Sequence, residues 1–217
     1  MLREVLFNDW YTTIIVASLT ITVSAKLLNF NRFTHFLRLI GNSNYLRIYV
    51  KDHKFLDPFD VVLFLNFCVN GTLIGILTYS HFVQNLEITP LLFLKIAAIL
   101  GAGALIKVLL ELGIGYLFDI PKLFHSYVFQ QISFINFLGV VLLPLNSLLI
   151  FGVPNNHTLI VFILLVSGLI LLIGLMKSIK SYQKLLINNF FYFILYLCTL
   201  EIAPYVLFCK LFSLDIN

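Results

Sequence analysis

Long runs of apolar residues constrain the fold of this chain more than any other feature of its sequence. Six runs lie near residues 10–28, 58–83, 90–116, 133–151, 158–177 and 189–211. A hydrocarbon layer of about 30 Å takes about 20 apolar residues of helix, so runs of this length are typical of membrane spans. Because a backbone in lipid must satisfy its own hydrogen bonds, we predict an all-α, polytopic bundle of about six transmembrane helices.

The composition leaves little room for anything outside the membrane. Of 217 residues, 60% are hydrophobic and 11% are charged, whereas soluble domains carry about 25% charged residues. We therefore predict that residues 1–217 form a single integral membrane domain. Arg3 is outweighed by Glu4 and Asp9, which does not fit the basic start of a signal peptide, so we expect the first span to be uncleaved.

Two helix starts are marked by local chemistry. Asp57-Pro58 and Thr89-Pro90 each place a capping side chain directly before a proline. Proline at the first helical position lacks only an N–H that has no partner inside the helix, and Asp or Thr before it can cap the free amides. We predict that the second and third spans begin at these two prolines.

The distribution of Lys and Arg predicts the orientation. Eleven of the fourteen lie in residues 26–57, 107–122 and 177–184, and basic residues close to span ends are retained on the cytoplasmic side. Six spans with both termini periplasmic place all three segments in the cytoplasm. The net charge of +4 is explained by this topology, and we do not expect nucleic-acid binding.

The one substantial segment outside the spans is the cytoplasmic basic segment, residues 29–57. Its apolar residues recur at helical spacing, with basic residues between them, which predicts an interfacial helix after the first span. Arg32, Arg38 and Arg47 are candidates for contact with anionic lipid head groups or a partner. The simpler interpretation is a connector that lies on the membrane and obeys the positive-inside rule.

Ionisable side chains within spans are expensive unless paired or hydrated, so each needs a partner. Lys107 and Glu111 lie one helical turn apart in the third span and can neutralise one another. Glu201 lies about ten residues inside the last span, too deep for its short side chain to reach water readily. By depth, its candidate partners are Lys95 and Lys210.

Two prolines accompany these polar groups. Pro204 follows Glu201, and Pro144 lies close to Asn146 in the fourth span. Each proline kinks a helix and frees a carbonyl, and broken helices beside a midplane carboxylate are used by ion-coupled transporters. The alternative is that both are simple kinks and that Glu201 is protonated or hydrogen-bonded for packing.

Small residues indicate where helices approach closely. Gly71 and Gly75 form a GxxxG motif in the second span, and Ala97 and Gly101 form a small-xxx-small pair in the third. Such motifs pack either against a helix of the same chain or against another subunit.

Signatures of enzymes and cofactors are absent from the sequence. It contains no HExxH, GxSxG, P-loop or dinucleotide fingerprint, and its three cysteines lack metal-ligand spacing. The five histidines are scattered along the chain, and a lone histidine is usually structural or exposed. We expect no enzymatic activity, no cofactor and no metal site.

Several short motifs are spread over almost the whole chain: Asp9-Trp10, Asn44-Tyr45, Lys51-Asp52, Glu111 to Phe118, Leu142 to Leu145, and Phe191 to Phe208 with Tyr196-Leu197, Glu201 and Pro204. Together they resemble the motifs of an uncharacterised family of Bacteroidota membrane proteins, a domain of unknown function. The resemblance implies a bacterial inner-membrane location and supplies no activity. By analogy it favours an accessory role in envelope, secretion or motility machinery.

Two functional hypotheses follow. The first is a non-enzymatic subunit or assembly factor of an envelope complex that docks other membrane subunits through its small-residue faces. The second is a small ion-coupled transporter in which Lys95, Lys107, Glu111 and Glu201 line a path broken at the prolines. The first requires Glu201 to be enclosed by protein, whereas the second requires a polar cavity that reaches it.

Overall fold

The computed structural model describes residues 9–39, 41, 44–49, 57–82, 89–117, 121–154 and 156–186. These residues form helices with short connections and contain no β-strand, which confirms the all-α prediction. The helices are α1 (Asp9–Leu28), α2 (Phe30–Leu37), α3 (Asn44–Tyr49), α4 (Pro58–Phe82), α5 (Pro90–Leu117), α6 (Pro121–Ser147) and α7 (His157–Leu186). A π-helical turn, Leu148–Gly152, directly follows α6.

Five of the described helices are long and apolar enough to cross a membrane. Their candidate spans are Trp10–Leu28, Pro58–Phe82, Pro90–Leu117, Phe124–Gly152 and His157–Ser178. The candidate spans in α1, α4, α5 and α7 match the first, second, third and fifth predicted spans closely. The predicted span at 189–211 lies outside the described residues.

The fourth span differs most from its predicted bounds. The sequence predicts a start near 133, whereas α6 begins at Pro121. Polar residues such as His125, Gln130 and Gln131 interrupt the apolar run there, and a hydropathy pattern ends where polar residues begin. The helix nevertheless continues, because Tyr127 and its neighbours bury large side chains on the same turns.

The predicted capping side chains at the starts of α4 and α5 are confirmed. Asp57 Oδ1 accepts a hydrogen bond from the amide of Phe59 at 3.3 Å, and Thr89 Oγ1 accepts one from the amide of Leu92 at 3.2 Å. Asn156 caps α7 in the same way, at 3.2 Å from the amide of the third helical residue. Each cap satisfies an amide that has no partner inside its helix.

The chain divides into two compact units. In the described residues, the first unit contains α1 to α4, α5 up to Gly101, α6 from Ile132 and α7 up to Ile173. The second contains the remaining parts of α5, α6 and α7.

Within the first unit, α1 runs antiparallel to α4, and α6 runs parallel to α4. Hydrogen bonds join Asn136 to Asp60 and Asn146 to Asn70, each across 76 residues of sequence, which is the constant offset of two parallel helices. Their common direction agrees with the predicted topology, in which the second and fourth spans cross the membrane in the same sense. Polar side-chain contacts join all three of these helices.

Candidate functional site

A buried arginine binds two carboxylates where α2 meets the start of α4. Arg32 is 5% exposed, and its Nη2 donates a hydrogen bond to Asp60 Oδ2 at 2.7 Å. Its Nη1 donates to Asp57 Oδ2. The side chain of Asp60 is 7% exposed and that of Asp57 is 24% exposed. Charge-assisted hydrogen bonds of this kind are about twice as strong as neutral ones, so Arg32 fastens α2 to α4. We call Arg32, Asp57, Asp60 and Tyr45 the arginine cluster.

Aromatic rings enclose the guanidinium of Arg32. Its Nε donates a hydrogen bond to Tyr45 Oη at 3.3 Å, and its carbon Cζ lies 4.6 Å from the ring centre of Phe59 and 5.2 Å from that of Tyr49. These distances are within the range of cation–π attraction. The arginine thereby joins α3 as well as α4 to α2.

The electrostatics of the arginine cluster keep Arg32 charged and Tyr45 neutral. Burial alone acts to lower the pKa of Arg32, but its interactions with Tyr45, Asp60 and Asp57 outweigh that effect and raise the pKa. Burial is also the main reason that the pKa of Tyr45 is raised, and the charge of Asp60 adds to it while Arg32 opposes it. A neutral phenol oxygen can accept the Arg32 hydrogen bond, and the single cation faces two carboxylates.

Phe36 connects the arginine cluster to the rest of the first unit. Its side chain is fully buried and makes edge-on contacts with Tyr45, Phe59 and Phe137, at ring-centre distances of 5.6, 6.0 and 5.9 Å. These rings come from α3, α4 and α6, and edge-to-face pairs are a favourable arrangement for aromatic side chains. The connection after α1 is therefore packed into the helical bundle.

The predicted helix after the first span is present as α2, but one of its basic residues is buried. The sequence predicts an apolar face of Phe30, Phe33, Leu37 and Ile40, with basic residues such as Arg32 between them; Ile40 lies outside the described residues. In the structure Phe30 and Leu37 are 61% and 48% exposed, whereas Arg32 is buried beside Phe33. Helical spacing did not predict the burial of Arg32, which is possible because the two aspartates neutralise its charge.

The three basic residues proposed to contact lipid therefore lie in different environments. Arg32 is occupied by the aspartates and is not available at the surface. Arg38 is exposed at the end of α2 and remains a candidate for lipid contact. The side chain of Arg47 lies outside the described part of the structure.

A second polar group lies inside the membrane-spanning part of α1, α4 and α6. Ser18 Oγ donates to Asn66 Oδ1 at 2.7 Å, and Asn70 Nδ2 donates to Ser18 Oγ at 2.6 Å and to Asn66 Oδ1 at 3.1 Å. Asn146 Nδ2 donates to the backbone oxygen of Asn70 at 3.0 Å. All four side chains are at most 1% exposed. We call these four residues the central network.

The central network links three spans through side chains that prefer one another to lipid. Two of its atoms, Asn66 Nδ2 and Asn146 Oδ1, have no hydrogen-bond partner among the described residues. The other polar atoms are bonded across helices, as is typical of polar residues that fix packing in membranes. Asn146, predicted as an intramembrane polar candidate, thus belongs to the packing of α4 and α6.

In the second unit, Lys107 and Glu111 lie as the sequence predicts. Lys107 Nζ is 3.7 Å from Glu111 Oε1, and the side chains are 16% and 0% exposed. The distance fits an ion pair one turn apart on α5. Lys95, in the first unit, is exposed on α5.

Of the two prolines predicted to kink helices, only Pro144 lies within the described residues. Pro144 lies inside α6 and is exposed, four residues before the π-helical turn begins. A proline inside a helix removes one helical hydrogen bond and kinks the helix at that point. Glu201 and Pro204 lie outside the described residues.

The small residues predicted for close packing divide between inner and outer positions. A Cβ on Gly71 would lie 3.9 Å from Leu100 of α5, and one on Gly101 would lie 3.5 Å from Cys68 of α4, so these glycines face the α4–α5 contact. Ala97, one turn before Gly101 on α5, is partly buried. Gly75 is exposed, and a Cβ there would meet nothing within 4 Å.

A glycine that sequence analysis missed makes a closer contact. A Cβ on Gly139 of α6 would lie 2.6 Å from the Cα atom and 2.8 Å from the backbone nitrogen of Phe67 on α4. Gly139 has no small partner at GxxxG spacing, so the motif search had no signal to find. The parallel α4–α6 contact depends on this missing side chain.

Metal-binding residues do not form a dense cluster in the described part of the chain. No group of three or more His, Cys, Asp or Glu side chains there is placed to hold an ion. The polar atoms of the arginine cluster and of the central network are occupied mainly by one another. What these sites do chemically is to hold helices in register.

Apolar helices joined by buried polar bonds define this chain as a multi-pass α-helical membrane protein. Residues 11–212 match the model of the family described as Domain of unknown function (DUF4271), and the chain belongs to that family. No curated protein and no solved structure matches the chain. The family agrees with the resemblance to an uncharacterised family and brings no activity with it.

Proposed function

We propose that this protein is a non-enzymatic subunit or assembly factor of a complex in the bacterial inner membrane. The observation that carries the proposal is the central network, in which Ser18, Asn66, Asn70 and Asn146 bond to one another across three spans. Polar residues of a substrate path need to face water or a ligand. Here they face neighbouring helices, which supports a structural role for the bundle.

The arginine cluster supports the same role on the cytoplasmic side. Arg32 ties the connection between α1 and α4 to the bundle, so that α2 presents a fixed exposed surface. Arg38 and His35 lie on that surface, where basic residues attract anionic head groups or an acidic partner. The concentration of Lys and Arg in residues 26–57, 107–122 and 177–184 supports an orientation with this surface in the cytoplasm and both termini in the periplasm.

The surface proposed for the membrane partner surrounds Gly75 on α4. Gly71 and Gly101 are used inside the chain, whereas Gly75 is exposed with open space beside it. A glycine on an exposed helical face allows the backbone of another helix to approach closely.

The proposal is tested by extracting tagged protein in a mild detergent and identifying the membrane proteins that stay bound in stoichiometric amount. Gly75→Leu is expected to release the partner. Gly168→Leu is the matched control, because a Cβ at Gly168 of α7 also meets nothing within 4 Å. A homogeneous protein without a partner, or equal retention in both variants, contradicts the proposed surface.

A second candidate is an ion-coupled transporter, and the buried carboxylate of Glu111 favours it. Its side chain is 0% exposed within a candidate span, and ionisable residues at such positions are frequent in ion pathways. The discriminating experiment is ion flux in proteoliposomes. Flux that is lost in Glu111→Gln or Glu201→Gln, while the variants remain folded, supports the transporter. An absence of flux for the cations tested, together with a stoichiometric partner, supports the subunit.

A further inference from the structure

Two histidines that are 76 residues apart in sequence meet where α4 ends and α7 begins. His81 Nε2 lies 3.2 Å from His157 Nδ1, and the ring centres are 5.4 Å apart. His81 belongs to the last turn of α4, and His157 is the first residue of α7. In the sequence the two histidines are isolated, and nothing in their spacing indicates that they meet.

A phenylalanine holds both rings. Phe82 makes edge-on contacts with His81 and with His157, at ring-centre distances of 5.4 and 5.7 Å. His157 is exposed and His81 is partly exposed, so an ion in solution can reach the two facing nitrogens. Both helix ends belong to the first unit.

We propose that His81 and His157 bind one divalent transition-metal ion, with Zn²⁺ as the reference case. Zinc binds imidazole nitrogen at about 2.0–2.1 Å in tetrahedral geometry, which separates two ligand nitrogens by about 3.3–3.4 Å. The observed 3.2 Å is close to that separation, so the ion fits after a small movement of the rings. Imidazole suits Zn²⁺, Cu²⁺ and Ni²⁺, whereas Mg²⁺ and Ca²⁺ prefer oxygen.

The two histidines can bind the ion without gaining or losing a proton. Two neutral imidazoles each carry one N–H, and in the metal-free pair one of those hydrogens lies between the facing nitrogens. When the ion enters, that hydrogen moves to the other nitrogen of its ring, and both facing nitrogens become ligands. No other described His, Cys, Asp or Glu completes a group of three there, so water or an added ligand takes the remaining positions.

Metal binding is expected to join the end of α4 to the start of α7. A ligand that requires both histidines in their folded positions stabilises the folded state. Zn²⁺ is therefore expected to raise the unfolding temperature of the intact protein, and Mg²⁺ at the same concentration is not.

The test is equilibrium dialysis of the full chain, purified in detergent with a tag that contains no histidine, against ZnCl₂ at neutral pH. The proteins are the natural chain, His81→Gln, His157→Gln and the control His35→Gln, which replaces an exposed histidine of α2. All four retain the same cysteines, so any zinc held by thiols cancels in the comparison. We expect one more bound Zn²⁺ per chain in the natural protein and in His35→Gln than in the other two variants.

The unfolding temperature without metal checks that the variants are folded. Because His157 is exposed and His81 is partly exposed, the metal-free unfolding temperatures of the two variants are expected to stay close to that of the natural chain. If all four proteins bind equal amounts of Zn²⁺, or if Zn²⁺ leaves the unfolding temperature of the natural chain unchanged, the pair is only a hydrogen-bonded contact and the proposal is overturned.

Discussion

Gly139 of α6 lies directly against the backbone of Phe67 on α4, so closely that a Cβ on the glycine would fall 2.6 Å from the phenylalanine Cα atom. No rotamer change relieves a contact with backbone atoms. The two helices can approach to this distance only because position 139 has no side chain.

Gly139→Ala is therefore expected to destabilise the protein. Overpacking of a tight contact typically costs about 1–3 kcal/mol. Here the clash can be relieved only if α6 moves away from α4. The measurement is the unfolding temperature in detergent, followed by size-exclusion chromatography. Gly75→Ala is the control, because a Cβ there meets nothing within 4 Å. Similar unfolding temperatures for the two variants would contradict the direct contact.

Replacing Arg32 is expected to be strongly destabilising. Arg32→Met keeps much of the side-chain volume but leaves Asp60, with a side chain only 7% exposed, without its cation. Removal of one partner from a buried ion pair typically costs about 3–5 kcal/mol. Arg38→Met, which changes an exposed arginine on the same helix, is expected to have an effect within about 0.5 kcal/mol.

A double variant separates loss of charge balance from loss of packing. Arg32→Met combined with Asp60→Asn removes the more buried of the two carboxylates that lose their cation, so it is expected to recover part of the lost stability. The readouts are the unfolding temperature and the rate of trypsin cleavage in the connection after α1. An equal loss in Arg32→Met and Arg38→Met, or no recovery in the double variant, would show that the ion pair does not hold α2 in place.

Apolar runs and capping residues predicted the bounds of the spans in α1, α4, α5 and α7 well, because membrane length and backbone hydrogen bonding act on every residue of a span. The starts at Pro58 and Pro90 followed from single side chains that bond the nearest amides. The apolar run did not predict the early start of α6 at Pro121, because polar residues end the run there while neighbouring aromatic residues remain buried.

The polar clusters were harder to predict, because each joins residues that are distant in sequence. Arg32 and Asp60 are 28 residues apart, and Ser18 and Asn70 are 52 apart. A single sequence shows which residues need partners but not which residues become neighbours. The pairing of Lys107 with Glu111 could be predicted from the sequence, because the two residues lie one turn apart on the same helix.

The central network predicts that Asn70→Ala costs more than an ordinary polar substitution in a membrane span. The change removes donors to Ser18 and Asn66 and leaves those buried groups with fewer partners. Interhelical hydrogen bonds in membranes are each worth about 0.6–2 kcal/mol. Thr20→Ala is the control, since Thr20 is exposed and bonds only its own helix.

A double-mutant cycle of Ser18→Ala and Asn70→Ala measures the coupling directly. We expect the combined loss of stability to be smaller than the sum of the two single losses, because the single variants break the same bond. Strictly additive losses in the free energy of unfolding would mean that the two side chains do not interact across α1 and α4.

The proposed orientation predicts where introduced cysteines react. In a variant without the three natural cysteines, Arg38→Cys lies after the first span and Val153→Cys lies before α7. Three candidate spans, those of α4, α5 and α6, separate the two positions, and an odd number of crossings places them on opposite sides of the membrane.

A maleimide that does not cross membranes distinguishes the two sides in cells with a permeabilised outer membrane. Because basic residues flank position 38, we expect Val153→Cys to react in such cells and Arg38→Cys to react only after the inner membrane is opened. The reverse pattern would invert the proposed orientation. Reaction of both cysteines before lysis would mean that one of the three helices does not cross the membrane, since the two positions would then be separated by an even number of crossings.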